Sequence, residues 1–343
     1  MAQLESLMKP GLHPALVNDP LGDPGLLIHF MYEKRALLFD LGDLSALSHA
    51  DLLKVSHVFV SHTHIDHFIG FDRLLRMVFG RGKVLTLYGP KNFIANVAGK
   101  LAGFTWNLVE RYDETITLRV KEVHEDHMRC ATFRGADRFQ PSDETEEPLM
   151  DFVILDEPAF AVHCAILEHR TPCLGFALKE KFHININKDQ LVRLNFRPGP
   201  WLNELKRHIF EGAPESQMIP VLLAGTGKTE DRSLGYLKKA LVEITPGQKI
   251  AYVVDTVFNE ENNARIVNLV KGADVFFCES PFVAEEEERA RDRCHLTSRQ
   301  AGLLARQAGV KQLRVFHFSA RHTHQTALLY QQAEEAFKNG EAP

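Results

Sequence analysis

Apolar and polar residues alternate over short stretches in the first half of the chain, and strand-like and helix-like segments alternate in the second half. The early pattern predicts strands at 25–30, 35–40, 55–61, 83–88, 115–123, 152–155, 160–167 and 173–179, and helices at 70–79 and 92–103. The later pattern predicts helices at 234–243, 260–270, 281–293, 298–308 and 323–339, and strands at 249–255, 274–278 and 312–318. This order is typical of a layered α/β domain whose helices lie outside the sheets.

Two segments depart from this alternation. Residues 129–150 form a polar, acidic excursion that contains the acidic stretch 142–147, and we expect a solvated hairpin or loop there. Residues 181–220 have the composition of helices and loops. We find no repeat of fixed period and expect one domain over residues 1–343.

Composition narrows the class of protein. The 343 residues include 45% hydrophobic and 25% charged residues, enough for a sizeable core, and the net charge of −5 gives no global basic field. Five scattered cysteines without a C-x-x-C pair argue against a disulfide framework or a thiolate zinc site. Met1–Glu5 lacks the basic and apolar regions of a signal peptide, and no apolar stretch approaches the roughly 20 residues that span a bilayer. We therefore expect a cytoplasmic protein that does not enter membranes.

The main chemical signal is a run of metal-binding residue types directly after the apolar segment 55–60: His62, His64, Asp66 and His67. Alternation in an extended chain puts His62 and His64 on one side, and the following loop brings the other two to a second position. Imidazole and carboxylate suit zinc and related divalent ions. Four ligands exceed what one catalytic ion with an open position needs, and they fit two ions about 3.5–4 Å apart better. The alternative is an exposed histidine-rich turn.

Later predicted strand ends offer further ligands. His169 follows the strand that ends at Leu167, Asp255 ends the strand 249–255, and His317 lies at the end of the strand 312–318. Each alone could be a structural residue of a turn. Together they would complete three ligands for each ion, with the Asp255 carboxylate as a bridge.

The order and spacing of these residues resemble the metallo-β-lactamase superfamily and, within it, the ribonuclease Z family of tRNA 3′-processing endonucleases. The resemblance covers residues 36–321. It is supported by the segments 38–43 (LFDLGD), 87–90 (LYGP), 167–176 (LEHRTPCLGF), 198–200 (PGP), 294–301 (CHLTSRQA) and 316–321 (FHFSAR). It implies a four-layer αββα metallo-β-lactamase sandwich.

The resemblance also implies roles for residues. One metal ion would bind His62, His64 and His169, the other would bind Asp66, His67 and His317, and Asp255 would lie between them. The two ions would be zinc, with manganese or iron as alternatives that the same ligands accept. A hydroxide would attack phosphorus, formed from metal-bound water that Asp66 would orient or deprotonate.

Three further residues have roles that the resemblance suggests. His295, held by Glu279, would protonate the leaving oxygen or stabilise its charge. The alternative for His295 is a structural place beside Thr297, a plausible N-cap of the helix 298–308. Asp40 would support a ligand histidine, or would be an ordinary turn carboxylate.

The resemblance implies that the substrate is RNA, most concretely a tRNA precursor, bound by an arm near 181–220 that contains Pro198-Gly199-Pro200 and several Lys and Arg residues. The alternative for this segment, which its charge alone favours, is a solvated amphipathic helix. The resemblance also suggests a homodimer. The alternative function is a small-molecule hydrolase of the same fold that acts on a cyclic phosphodiester, a thioester or a lactone, and the acidic stretch 142–147 would repel an RNA backbone if it lay near the cleft. A non-catalytic binding module is a third possibility, which the full ligand set disfavours.

Overall fold

The computed structural model describes residues 11–31, 33–112 and 114–340. The strands are β1 Leu12–Leu16, β2 Leu26–Phe30, β3 Ala36–Phe39, β4 Val55–Phe59, β5 Val84–Gly89, β6 Thr117–Val123, β7 His127–Arg134, β8 Pro141–Pro148, β9 Val153–Asp156, β10 Phe160–Glu168, β11 Pro172–Glu180, β12 Phe182–Ile186, β13 Met218–Leu222, β14 Thr229–Ser233, β15 Val242–Pro246, β16 Lys249–Val253, β17 Val275–Glu279 and β18 Leu313–Phe316. The helices are α1 His49–Lys54, α2 Ile65–Phe68, α3 Phe71–Val78, α4 Phe93–Ala102, α5 Lys188–Arg193, α6 Trp201–Phe210, α7 Leu234–Leu241, α8 Glu260–Val270, α9 Glu287–Asp292, α10 Ser298–Gln307 and α11 Thr326–Asn339.

These elements form two compact units. The larger unit comprises residues 12–155, 162–178 and 249–340, and the smaller one comprises Gly11, 156–161 and 179–248. Strands β1 to β8 follow one another in an eight-stranded sheet, and a six-stranded sheet has the order β18-β17-β16-β11-β10-β9. Strands β3 to β6 are parallel to one another, as are β16 to β18.

Alternation along the strands explains how the larger unit is layered. In β3, Leu38 joins the cluster of apolar side chains that packs against α3 and α4, while the next residue, Phe39, points to the opposite face. There the Phe39 ring lies 5.6 Å from Phe176 of β11 and 6.0 Å from Tyr252 of β16. The aromatic layer thus joins the two sheets face to face.

A second apolar cluster lies on the outer side of the six-stranded sheet. It combines Ala251 and Phe276 of that sheet with Ile266 of α8, Leu304 of α10 and Leu329 of α11. Helices therefore cover both outer faces, and the predicted four-layer αββα sandwich is confirmed.

The smaller unit has its own apolar cluster, in which α5, α6 and α7 pack together around Leu191, Trp201, Leu205 and Leu237. It also contains two short antiparallel pairs, β12 with β15 and β13 with β14. The prediction for 181–220 missed β12 and β13. The prediction of a helix over 234–243 ran into β15, which pairs with a strand far earlier in the chain.

Other element predictions differ in detail. The acidic excursion is the hairpin of β7 and β8, which extends the eight-stranded sheet. The helix predicted over 281–293 is limited to a 3₁₀ turn at Ala284–Glu286 and α9. Helix α1 was not predicted. All five cysteines are free thiols. Among the described helices none combines the length and apolar character that crossing a membrane requires, and Met1–Glu5 lies outside the described residues.

Candidate metal centre

The nine site residues predicted from the sequence lie together where strands of both sheets end. His62 follows β4, His169 follows β10, Asp255 follows β16 and His317 follows β18. Because the carboxyl ends of parallel strands meet at one edge of a sheet, loops from distant parts of the chain converge there. The short helix α2, which the sequence pattern predicted as a loop, begins after His64 and turns the two remaining residues of the run inward.

The first group of candidate ligands is His62, His64, His169 and Asp255, whose ligand atoms lie within 4.8 Å of one another. The Asp255 Oδ2 atom is 3.3 Å from Nε2 of His62 and 3.3 Å from Nε2 of His169. Three of the four side chains are buried, and His64 is exposed. The arrangement leaves the group accessible from one side.

The second group is Asp66, His67 and His317. The Asp66 Oδ2 atom lies 3.5 Å from Nε2 of each histidine. The Asp255 carboxylate reaches this group as well, with Oδ2 3.3 Å from His67 Nε2 and Oδ1 3.0 Å from His317 Nδ1. One carboxylate therefore touches both groups, as a bridging ligand would.

Unsatisfied polar atoms test whether these residues fit a metal. The Nε2 atoms of His62 and His67, Oδ1 of Asp255 and Nδ1 of His317 are buried and form no well-aligned hydrogen bond, although the last two lie 3.0 Å apart. Buried polar atoms are normally paired, so a cluster of unpaired nitrogen and oxygen donors that face one another fits divalent cations between them. The residues present fit the two-ion arrangement.

A hydrogen-bonded network behind the second group fixes His67. Its Nδ1 atom is 2.9 Å from Oδ2 of Asp40, which also accepts hydrogen bonds from the Ser61 hydroxyl (2.9 Å) and the Tyr252 hydroxyl (2.9 Å). The Ser61 amide donates to the other oxygen of Asp40 at 2.6 Å. Such partners orient a ligand imidazole so that its second nitrogen faces the metal. This geometry supports the expectation that Asp40 holds a ligand histidine.

His169 is oriented in a similar way by the backbone. Its Nδ1 atom lies 2.7 Å from the carbonyl oxygen of Cys294. The Cys294 carbonyl, the Ser61 hydroxyl and the Tyr252 hydroxyl were not found by sequence reasoning. Ser61 directly precedes His62 and could have been suspected, but no sequence signal points to the other two groups.

His295 and Glu279 are paired as the resemblance implied. Glu279 Oε2 lies 2.7 Å from His295 Nδ1, and Glu279 Oε1 accepts hydrogen bonds from the amides of Thr256 (3.0 Å) and Leu296 (3.1 Å). The imidazole also lies 3.6 Å from Asp255 Oδ1. Thr297 caps α10, as the structural alternative for His295 assumed. The His295 imidazole nevertheless faces the cluster.

The electrostatics of the cluster favour a cation. Burial, together with the neighbouring His67, lowers the pKa of His62 to about 2, so this imidazole is neutral. Burial also disfavours the charged form of His67, but Asp255 and Asp40 outweigh it and raise its pKa to about 10. Burial opposes ionisation of Asp66, yet a hydrogen bond from His317 and the charge of His67 lower its pKa to about 2. The Asp66 carboxylate therefore stays ionised, and protonated His67 supplies the positive charge that a bound cation would otherwise provide.

Three residues of the centre have a left-handed backbone conformation. The φ angles are 56° at Asp40, 49° at Asp255 and 58° at His317. Residues other than glycine rarely adopt this conformation, and where they do it often serves a functional site. Each of the three directly or closely follows a strand, and the unusual turn directs its side chain into the cluster.

Comparisons with known proteins agree with this architecture. The chain is 29% identical over 316 residues to ribonuclease Z of Deinococcus radiodurans, with 91% of each protein covered. It is 29% identical over 282 residues to ribonuclease Z of Bacteroides thetaiotaomicron, with 82% of this chain and 74% of the relative covered. No protein-family profile matches the chain.

Solved structures decide the fold. A metallo-β-lactamase fold protein of Bacillus subtilis superposes with a TM-score of 0.54 at 16% identity, covering 95% of this chain and 93% of the other. The short form of human tRNase Z superposes with a TM-score of 0.52 at 16% identity, covering 91% and 92%. This chain has the metallo-β-lactamase fold. The resemblance to ribonuclease Z that the sequence indicated is also confirmed, because the curated relatives with that name align over most of the chain.

Proposed function

We propose that this protein is a metal-dependent phosphodiesterase that cuts RNA in the manner of ribonuclease Z, with a tRNA precursor as substrate. The observation that carries the proposal is the pair of donor groups that share the Asp255 carboxylate and contain buried, unpaired imidazole nitrogens. The similarity to ribonuclease Z over 91% of the chain supports RNA as the substrate class.

One ion would be held by His62, His64 and His169 and the other by Asp66, His67 and His317, with Asp255 within reach of both groups. When bound, such ions lower the pKa of water toward 7 and neutralise the negative charge of the phosphate. We take zinc as the metal, because neutral imidazole and carboxylate are its ordinary ligands.

The chain's own residues supply orientation and proton transfer. Ionised Asp66 can accept a proton from the attacking water, since its carboxylate is 40% exposed and reaches both histidines of its group. Glu279 holds the Nδ1 atom of His295, which leaves Nε2 of that imidazole to donate a proton to the leaving oxygen. Asp66 thus acts as the base and His295 as the acid.

The arm proposed for RNA binding lies in the segment 181–220, within the smaller unit. Lys188, Arg193 and Arg197 are exposed there, and no described residue forms an ion pair with them. Other cations of the segment are occupied, as in the pairs of Lys181 with Asp156 and Arg207 with Glu211. Unpaired surface cations suit contacts with phosphates.

Cleavage of a precursor tRNA tests the proposal. We expect the zinc- or manganese-loaded protein to cut near the 3′ end of the tRNA body, and to act poorly on cyclic phosphodiester, thioester and lactone substrates. Substituting both Arg193 and Arg197 by Gln should weaken tRNA binding and reduce the slope of its salt dependence by about one unit for each arginine that binds a phosphate. Arg207→Gln, a cation already paired, is the matched control. Rapid hydrolysis of a small substrate with no cleavage of tRNA would replace this proposal by the small-molecule alternative.

Three other features belong to the same proposal. We infer a single metallo-β-lactamase-type domain over 1–343 that carries the acidic excursion near 129–150 and the arm. We also infer a homodimer and a cytoplasmic location. Sedimentation of the purified protein tests the homodimer, and fractionation of cells tests the location.

A further inference from the structure

A cavity of about 660 Å³ lies in the larger unit, apart from the metal centre. It is lined by residues of α3 and of the turn that follows it, and by residues of the connection between α4 and β6. The lining residues are Asp72, Leu75, Arg76, Met77, Phe79, Arg81, Phe104, Thr105, Trp106, Leu108, Val109 and Tyr112. Arg81 precedes β5 and Tyr112 precedes β6, so the cavity opens at the amino ends of these strands. The metal centre occupies the carboxyl ends, and a strand of six residues separates two such edges by about 20 Å. None of the proposed metal ligands lines the cavity.

Aromatic rings form the wall of this cavity. The Phe79 ring is stacked on Trp106 with centroids 5.7 Å apart, and it meets the edge of Tyr112 at 4.9 Å. The Trp106 indole donates a hydrogen bond to the Leu101 carbonyl at 2.8 Å, which fixes the plane of its ring. The rings are therefore held in place by the protein.

Part of this wall remains open to solvent. Phe104 is 43% exposed, and Leu108 and Tyr112 are each 48% exposed. Large apolar side chains that converge on one exposed concave site are uncommon in soluble proteins and mark binding sites. The volume also falls within the roughly 300–1,000 Å³ range of small-molecule pockets.

The charged groups at the cavity are mainly positive. Arg76 is exposed, and among the described residues no carboxylate pairs with it; Arg81 is exposed as well and contacts only the Met77 carbonyl through Nε, at 3.2 Å. Among the described lining residues the one carboxylate is Asp72, whose Oδ2 atom pairs with Lys100 at 3.2 Å and whose Oδ1 atom is buried without a hydrogen-bond partner. A ligand in this cavity would meet flat apolar faces and two available guanidinium groups.

We propose that this cavity binds a nucleotide, with the base against the aromatic wall and the phosphate at Arg76 and Arg81. Bases stack on exposed aromatic side chains whatever their sequence, and arginine binds phosphate through paired hydrogen bonds. The nucleotide is either free or part of a single-stranded RNA segment. The proposal concerns binding alone and does not depend on cleavage at the metal centre.

Calorimetric titration of the metal-loaded protein with adenosine monophosphate and with a five-residue oligoadenylate tests the proposal. We expect saturable binding that adenosine and ribose 5-phosphate reproduce only weakly, because each carries half of the recognised groups. Arg76→Gln and Phe104→Ala should each weaken this binding about tenfold. Arg73→Gln, on the same helix but outside the cavity, is the matched control and should bind as the parent does.

The two sources of the nucleotide give different outcomes. Equal affinity for the mononucleotide and the oligonucleotide indicates a free nucleotide, and much tighter binding of the oligonucleotide indicates an RNA strand. If the nucleotide bound only at the metal centre through its phosphate, Asp255→Ala would abolish the measured binding and Arg76→Gln would leave it unchanged. That result, or the absence of any binding that the cavity variants weaken in folded protein, would overturn the proposal.

Discussion

Replacing Tyr252 by Phe removes one hydroxyl from the network behind the metal centre and leaves the aromatic ring in place. Tyr252 lies on β16 and is 1% exposed, and its hydroxyl donates to Asp40 Oδ2 at 2.9 Å. Burial and the neighbouring Asp40 raise the pKa of Tyr252 well above its ordinary value. The hydroxyl is therefore protonated at neutral pH and acts as a donor to the carboxylate.

The size of the effect follows from the donors that remain. A hydrogen bond to a charged group contributes about 1.5–3 kcal/mol. Asp40 keeps the Ser61 amide, the Ser61 hydroxyl and His67 Nδ1 in the variant, so it is not left unpaired. We therefore expect a loss near the lower limit, about 1.5 kcal/mol of the free energy of unfolding. For a domain of this size that lowers the melting temperature by about 2–4 °C.

The metal affinity should fall as well. Removing a direct partner of a ligand histidine typically costs 10–100-fold in metal affinity or activity. Tyr252 acts through Asp40 on His67, one step further out, so we expect a loss of about three- to tenfold for one of the two ions. Competition with a chromophoric chelator measures this affinity, and thermal melting of the metal-free protein measures the stability.

Tyr330→Phe is the control for this experiment. Tyr330 is 44% exposed and packs its ring against Phe318 at 5.1 Å, and its hydroxyl is not part of the network around Asp40. If Tyr252→Phe melts and binds metal like Tyr330→Phe, the reasoning about the network is wrong. If it melts early but binds metal normally, the hydroxyl joins the two sheets without positioning His67.

The other predictions concern backbone packing at Gly70 and the residues of the centre itself. Gly70→Ala should destabilise the protein by about 1–3 kcal/mol, because a Cβ atom there would lie 2.2 Å from the Gly42 carbonyl oxygen, whereas Gly99→Ala on open helix surface should not; thermal melting compares the two. Asp255→Ala should abolish turnover and reduce bound metal from two ions toward one or none, as elemental analysis would reveal, and unchanged metal content would mean that the bridge is misplaced. His295→Ala should lower kcat by about 10²–10⁴-fold with both ions retained. Glu279→Gln should lower kcat by a smaller factor, and loss of metal in either variant would assign these residues to structure instead.

Local patterns were sufficient to predict the framework and the ligand types. The run from His62 to His67 and the position of Asp255 after an apolar strand are visible in a short window of sequence. The structure brings these residues together because strands of both sheets end at the same place. The strand and helix periods predicted helices outside the sheets, whereas the four-layer order was predicted from the resemblance to the metallo-β-lactamase superfamily.

Contacts between distant segments could not be predicted in this way. Between the paired strands β12 and β15, the Asn185 side chain donates a hydrogen bond to the Thr245 hydroxyl, 60 positions further along the chain. Neither short strand has a strong pattern of its own. The bond between Tyr252 and Asp40 spans 212 positions. A tyrosine in a buried strand looks like any other core residue until the second sheet is placed over it.

The backbone at the bridging position explains why the centre contains residues that local rules disfavour. Glycine would adopt the left-handed conformation at Asp255 without strain, while an aspartate there costs about 1–3 kcal/mol. The carboxylate is surrounded by histidines, and four buried polar atoms of this cluster form no well-aligned hydrogen bond. The backbone strain and the unpaired polar atoms both destabilise the folded state. Bound cations would give those atoms partners. We therefore expect the stability of this edge of the sandwich to depend on metal occupancy, whereas the aromatic layer between the sheets is held by apolar packing that does not depend on a cation.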